Sequence, residues 1–282
     1  MILKKKIKLK IATILPYKED YTFKKASAAA LWVSEFYKRS KFKNSIFIYG
    51  STNSKNYLTK NYVNIFLKNF KTRFKSTTNE YCERLIKIFK VENFDIVEIH
   101  NRPIILLRLK NKINTNFIFY FHNDPLSMKG SKKKTERLSI LRNCQKIIFV
   151  SEWTRSRFFF DIDKKLMTRT QVIYPSVHKQ KAVKKDNIIS FVGKLNHSKG
   201  YDIFKKAIIK ILNEFPNWRA ISVGNEERRK IYIEHKNHFD LGFLNHEKTL
   251  NILNKSEIAV IPSRWEEPFG RVALEASSRG CA

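Results

Sequence analysis

The sequence predicts an α/β chain of two successive domains, each a parallel β-sheet with helices on both faces. Three observations carry this. Short apolar runs rich in Ile, Val, Phe and Tyr alternate along the whole chain with stretches of helical composition. The alternation breaks once, from His178 to Asp186, where Lys, Gln and Ala follow one another without periodicity. The unusual polar clusters lie directly after the strand-like runs, where ligand loops sit at the carboxyl ends of parallel strands. Domains are therefore expected at 1–177 and 187–282, with a linker at 178–186 and a cleft where the two loop-bearing edges face each other.

In the first half, Ile7 to Leu15 reads as a strand, Pro16 to Lys25 as a loop and Ala26 to Lys38 as a helix. Strands follow at Ser45 to Tyr49 and, inside the irregular segment Asn53 to Phe74, at Tyr62 to Phe66. A helix at Asn79 to Lys90 leads to a strand at Asp95 to Ile99, and Arg102-Pro103 opens another helix, Pro being suited to a first helical turn. Phe117 to Phe121 reads as a buried strand, Lys132 to Arg142 as a helix and Lys146 to Val150 as a strand. Ser151 then caps a helix, and Gln171 to Tyr174 closes this half. In the second half, strands are expected at Asn187 to Val192, Trp218 to Val223, Phe239 to Gly242 and Glu257 to Ile261. Helices are expected at Tyr201 to Asn213, His246 to Lys255 and Arg271 to Ser278.

With 282 residues and 43% hydrophobic composition, the chain has room for two sizeable cores. It carries 56 Lys+Arg against 25 Asp+Glu, a formal charge of +31. Such charge suits an anionic membrane surface or nucleic acid, and its even spread beside abundant Asn, Ile, Phe and Tyr also suits AT-rich coding bias. Cys82, Cys144 and Cys281 are too few and too scattered for a disulfide framework or a zinc site, so a reducing cytoplasm is expected. The apolar run Ile11 to Leu15 is too short to cross a bilayer, so any membrane contact is expected to be peripheral, on the inner face of the cytoplasmic membrane.

Two stretches carry chemistry. Trp265 to Ala276 reads W-E-E-P-F-G-R-V-A-L-E-A. Pro268 disfavours a helix at Glu267, Gly270 lets the backbone approach a ligand, and the helix beginning at Arg271 is expected to point Glu275 back toward the Glu267 loop. A helix start with two nearby carboxylates suits a ligand with phosphate at one end and hydroxyls at the other. Upstream, Gly193 to Gly200 sets Lys194 and Lys199 five residues apart beside a helix start, where fixed cations can stabilise a departing diphosphate.

These residues resemble the donor site of retaining glycosyltransferases with two Rossmann-like domains facing a cleft, the GT-B type. The resemblance is to the group 1, or family 4, transferases, which include many lipopolysaccharide and capsule enzymes. It implies transfer of a sugar from a nucleotide-sugar donor to a saccharide or lipid-linked acceptor, with retained configuration and without a cofactor or metal. By the same resemblance Lys194 and Lys199 hold the donor diphosphate, the backbone at Phe269, Gly270 and Arg271 meets the phosphates, and Glu275 binds the ribose. Glu267 takes the hydroxyls of the transferred sugar, Gly242-Phe243-Leu244 the base, and Arg264 lines the cleft. His122, at a strand end before Asn123-Asp124-Pro125, is placed with Glu267 in the reaction centre. Asn101, Arg102, Asn123 and Asp124 are acceptor contacts, since Asn-Arg-Pro and His-Asn-Asp-Pro occur together in a cell-surface polysaccharide subgroup.

The chain departs from the family in three places. Lys194 stands where Arg is usual, Tyr17 to Ala29 lacks the usual glycine, and the sequence stops at Ala282, where the family continues with a strand, a turn and a long helix. The resemblance therefore implies an incomplete second domain. Asp161-Ile162-Asp163 has the form of a metal-binding DxD but lies between phenylalanines and lysines, and His197, His235, His238 and His246 read as surface residues, so no metal is expected. The alternatives are another two-domain sugar-nucleotide enzyme and a basic nucleic-acid-binding protein, the latter disfavoured by the two motifs.

Overall fold

The computed structural model describes residues 9–67, 76–178, 180, 183–226 and 231–282. They form two compact units, Met1–Tyr174 and Pro175–Ala282. Asp186, at the end of the expected linker, is already the first residue of a strand, and residues 68–74 of the irregular segment lie outside the described residues.

The first unit holds one seven-stranded sheet of β1 (Ile11–Ile14), β2 (Ile46–Gly50), β3 (Tyr62–Asn64), β4 (Ile96–His100), β5 (Asn116–Phe121), β6 (Lys146–Phe149) and β7 (Thr170–Val172). Its order is β3-β2-β1-β4-β5-β6-β7, with every neighbouring pair parallel. Among the described residues five α-helices cover it: α1 (Ala28–Arg39), α2 (Thr77–Val91), α3 (Pro103–Leu109), α4 (Lys134–Asn143) and α5 (Glu152–Phe158). Strand side chains alternate between faces, so Phe117, Phe119 and Phe121 join one core with Leu85, Leu106 and Ile140 from α2, α3 and α4. Tyr120 and Ile148 join the opposite core with Trp32 and Val33 of α1. Caps follow the sequence: Ser27 accepts from the Ala30 amide (3.2 Å) and Ser151 from the Thr154 amide (3.1 Å).

The second unit holds a four-stranded parallel sheet of β8 (Asp186–Val192), β9 (Arg219–Val223), β10 (His238–Asp240) and β11 (Ser256–Ala259), in the order β10-β9-β8-β11. Its helices are α6 (Tyr201–Glu214), α7 (His246–Lys255) and α8 (Arg271–Ser277). On α6, Tyr201, Phe204, Ile208 and Leu212 form one helical stripe buried against Ile189, Phe191 and Ala220.

In each sheet the strand order reverses direction at one point: between β1 and β4 in the first, and between β8 and β11 in the second. Chains leaving adjacent strands there lead to helices on opposite faces of the sheet, the place where open α/β sheets bind ligands. In the second unit the two loops meet backbone to backbone. Gly200 has φ of 71°, and a Cβ there would lie 1.9 Å from the Pro262 carbonyl oxygen. Gly242 has a similar φ of 60° but no heavy atom within 4 Å of a Cβ position. Gly200→Ala is therefore expected to cost about 2–5 kcal/mol, left-handed strain plus overpacking, and Gly242→Ala about 1–2 kcal/mol of strain alone. Denaturant unfolding of the two variants checks this; equal losses would show that the backbone contact is not what constrains Gly200.

Candidate active site

In the second unit the loop after β8 is shaped by Asn196. Its side-chain oxygen accepts from the Lys199 amide (3.1 Å) and the Ser198 hydroxyl (2.9 Å), while its amide group donates to Glu226 (2.8 Å). Gly200 then lets the chain turn into α6 beneath Pro262. As a result Lys199 reaches the loop after β11, and its ammonium pairs with Glu267. Glu267 also accepts from the Ser263 hydroxyl (2.8 Å), and the Lys199 ammonium lies 5.0 Å from the centre of the Trp265 ring. Burial alone would raise the Glu267 carboxyl, but Lys199 and Ser263 outweigh it and hold it below its ordinary value. Lys194 is exposed and stays outside this pair.

Glu275 is 4% exposed and is held by a different set of partners. One carboxylate oxygen accepts from His246 Nε2 (2.7 Å) and from Arg271 Nε (2.7 Å). Burial would raise this carboxyl too, yet the hydrogen bond from His246 and the Arg271 charge keep it low. The turn before it is formed by Gly270 in the left-handed region, with φ of 78°. The two motif carboxylates thus sit at one helix entrance region of the sequence but are anchored separately, Glu267 to the β8 loop and Glu275 to α7 and α8.

Two of the histidines expected at the surface need correction. His246 is not a free surface residue, because it is the hydrogen-bond partner of Glu275. His238 is not a free surface residue either: it begins β10, and its ring bonds Ser222 (2.9 Å), which in turn accepts from Tyr201 (3.0 Å). Arg264 makes a two-point contact with Asp202 of α6 (2.5 and 2.7 Å) and donates to the His197 carbonyl (2.9 Å), so it fastens the two loops together. Asp202 is held far below the usual carboxylate range by the Arg264 hydrogen bonds. His246, Ser263 and Asp202 had no motif to mark them, since their partners are remote in sequence or lack a fixed spacing.

In the first unit the ends of β4 and β5 organise His122. Asn101 adopts φ of 52°, its amide donates to the Tyr120 carbonyl (2.9 Å), and its side-chain oxygen accepts from the His122 amide (2.9 Å). His100 Nδ1 and His122 Nε2 lie 2.8 Å apart. His100 is 1% exposed, stacked on Tyr120 at 4.4 Å, and Trp32 packs against both histidines. The Tyr120 hydroxyl donates to Glu98 (3.2 Å), which also accepts from Thr13 (2.7 Å). Burial pushes His122 down to about 4 and His100 well below its usual value, so both rings are neutral at physiological pH.

Among the described residues the buried Nε2 of His100 has no hydrogen-bond partner, and a bare lone pair is tolerated there better than an orphaned N–H. His100 therefore carries its proton on Nδ1 and donates to His122 Nε2, which leaves His122 with its own proton on Nδ1. His122 is thus set up as a donor.

A cavity of about 410 Å³ opens at the β1/β4 crossover and includes Tyr17, Asn101, Arg102, Pro103 and Asn123 in its wall. Three of the expected acceptor residues are there. Asp124 is not: one oxygen accepts from the Leu126 amide (3.0 Å), and both meet the Arg157 guanidinium (3.2 and 3.0 Å). Asp161 pairs with the buried Arg137 and Asp163 caps the next turn through the Lys165 amide (2.9 Å). Among the described residues no group of three His, Cys, Asp or Glu could hold a metal.

The second unit matches the family of glycosyl transferases group 1 over residues 175–282. YtcC of Bacillus subtilis is 23% identical over 235 residues, covering 71% of this chain and 57% of that protein. An uncharacterized glycosyltransferase of Methanocaldococcus jannaschii, MJ1607, is 35% identical over 103 residues, 34% of this chain and 26% of its own length. Anabaena Alr3699/HepE, solved in complex with UDP-glucose, superposes with a TM-score of 0.71 at 14% identity, over 97% of this chain and 79% of that one. The chain therefore spans less than two thirds of the length of these curated relatives, and its fold is the α/β architecture of GT-B glycosyltransferases.

The assignment of the histidine protons is checked by 15N-edited NMR of the imidazoles. His122 is expected as the Nδ1–H tautomer, staying neutral until the pH falls to about 4. An Nε2–H His122, or titration near the ordinary 6.5, would contradict it. The same depressed value makes folding stability full above about 6.5 and progressively weaker as the pH falls toward 4.

Proposed function

We propose that the protein is a glycosyltransferase that moves a sugar from a nucleotide-sugar donor to a saccharide or lipid-linked acceptor in cell-surface polysaccharide synthesis. The observation that carries the reading is the Lys199–Glu267 pair. A cation suited to a diphosphate and a carboxylate suited to sugar hydroxyls, 68 residues apart, are held side by side at the crossover point of the sheet that matches the family.

In this reading the donor diphosphate lies against Lys199 and Lys194 and the backbone turn at Phe269, Gly270 and Arg271. Glu275, kept ionised by His246 and Arg271, accepts from the ribose hydroxyls. Glu267 accepts from hydroxyls of the transferred sugar. As the glycosidic bond breaks, negative charge builds on the leaving diphosphate, and the preplaced cations stabilise it without reorganisation. The leaving oxygen takes the proton of the attacking hydroxyl on the same face, which gives retention. His122 donates a hydrogen bond from Nδ1 to a sugar or acceptor hydroxyl, and the acceptor occupies the cavity beside Asn101, Arg102 and Asn123. No step in this scheme calls for a cofactor or a protein-bound metal.

No helix among the described residues is long and apolar enough to cross a membrane. We place the protein in the cytoplasm, with its net charge of +31 favouring attachment to an anionic leaflet where a lipid-linked acceptor would be found.

Lys199→Ala is expected to lower kcat by about 10²–10³-fold with an unchanged circular dichroism spectrum. Glu275→Ala is expected to weaken nucleotide binding at least about tenfold, the scale of a lost charge-assisted hydrogen bond. Thermal-shift titration with UDP, GDP, ADP and their sugars, without added metal, reads the second effect and names the donor nucleotide. Indifference to all of them, together with salt-sensitive binding of RNA or DNA, would replace the transferase by the charge-driven alternative.

A further inference from the structure

We infer that the cavity of the first unit binds an anionic group, a carboxylate or a phosphate, and that the acceptor carries it. The identification with the acceptor rests on the transferase reading; the binding itself does not. The cavity measures about 410 Å³, enough for a sugar-sized ligand. Its wall includes Arg102, Arg108 and Lys129, opposed by a single carboxylate, Glu19. They come from separate segments: Arg102 follows β4, Arg108 lies in α3, and Lys129 lies beyond the turn after β5.

Several other arginines of the same unit have acidic partners. Arg157 pairs with Asp124, Arg137 with Asp161 and Arg84 with Glu80. Among the described residues Arg102, Arg108 and Lys129 have no such ion pair. Three like charges around one concavity repel one another, a cost that an anionic ligand would relieve. A concave wall also concentrates their field, which an exposed lysine on a convex surface does not. Arg102 is further steadied over the Tyr17 ring, with its guanidinium carbon 5.6 Å from the ring centre.

Two of the three cations are arginines, whose planar fork meets both oxygens of a carboxylate or two of a phosphate. Asn101, Asn123 and Tyr17 add neutral polar groups suited to neighbouring hydroxyls. The ligand that fits is a sugar carrying a negative charge, whether an acidic sugar or one bearing phosphate.

The test is calorimetric titration of the whole protein at constant ionic strength with inorganic phosphate, D-glucuronate and D-glucose. The anions are expected to bind saturably, with glucose at least about tenfold weaker. Arg102→Gln and Arg108→Gln are each expected to weaken anion binding about tenfold or more, whereas Lys41→Gln, an exposed cation outside the cavity, leaves it unchanged. Stronger binding of glucuronate would indicate an acidic sugar, stronger binding of phosphate a phosphorylated one, and equal loss of both in the variants would support the shared chemistry. Absence of saturable binding, or binding unchanged in both arginine variants, overturns the inference. Unfolding midpoints without ligand check that the variants fold, and Lys129→Gln serves in their place if they do not. Titration with UDP, GDP and ADP separates the two readings: anion binding with no nucleotide binding would leave the cavity standing and remove the transferase.

Discussion

The candidate site of the second unit depends on the close approach of Gly200 to the Pro262 carbonyl. Without a side chain at Gly200, the loop after β8 can lie directly on the loop after β11. Arg264 then bridges to Asp202 and His197, and its own amide donates to the Ser198 carbonyl (3.0 Å). Only with the loops in this register can Lys199 meet Glu267. A backbone contact, not an electrostatic one, comes first; the charges settle into a geometry that sterics have already set.

That order explains what could be read from the sequence. The strand and helix alternation was legible because parallel strands buried on both faces read as short apolar runs, and the two Lys and two Glu of the motifs were legible because their spacings are local. Most boundaries shifted by one or two residues, as α1 starting at Ala28 and β8 at Asp186 show, and the start of β1 by four, from Ile7 to Ile11. Less legible were partners without a spacing rule. His246 and Glu275 are 29 positions apart, and Arg264 and Asp202 are 62 apart. Each becomes visible only when the sheet brings its elements together. Asp124 shows the converse: it belongs to a recognisable motif, yet its carboxylate is already engaged by Arg157 and a backbone amide.

Electrostatics in the two units follow different patterns despite the uniformly basic composition. In the second, burial would neutralise Glu267 and Glu275, and hydrogen bonds and neighbouring cations keep them ionised, so negative charge is retained at both. In the first, two imidazoles packed against Trp32 are kept neutral by burial, while Arg102, Arg108 and Lys129 stand in the wall of the cavity. The net charge of +31 says little about either, because what matters at each place is which groups are desolvated and which are paired.

Asn101 combines two requirements that are separable in principle. Its backbone turns left-handed at the end of β4, a conformation that Gly adopts more easily than Asn and that most other residues resist. Its side chain also holds the His122 amide. Gly would satisfy the first and forfeit the second, and Gln, one methylene longer, would misplace the oxygen while straining the turn. Asn is the residue that meets both demands, so the identity of this position is dictated by the histidine 21 residues later as much as by its own place in the chain.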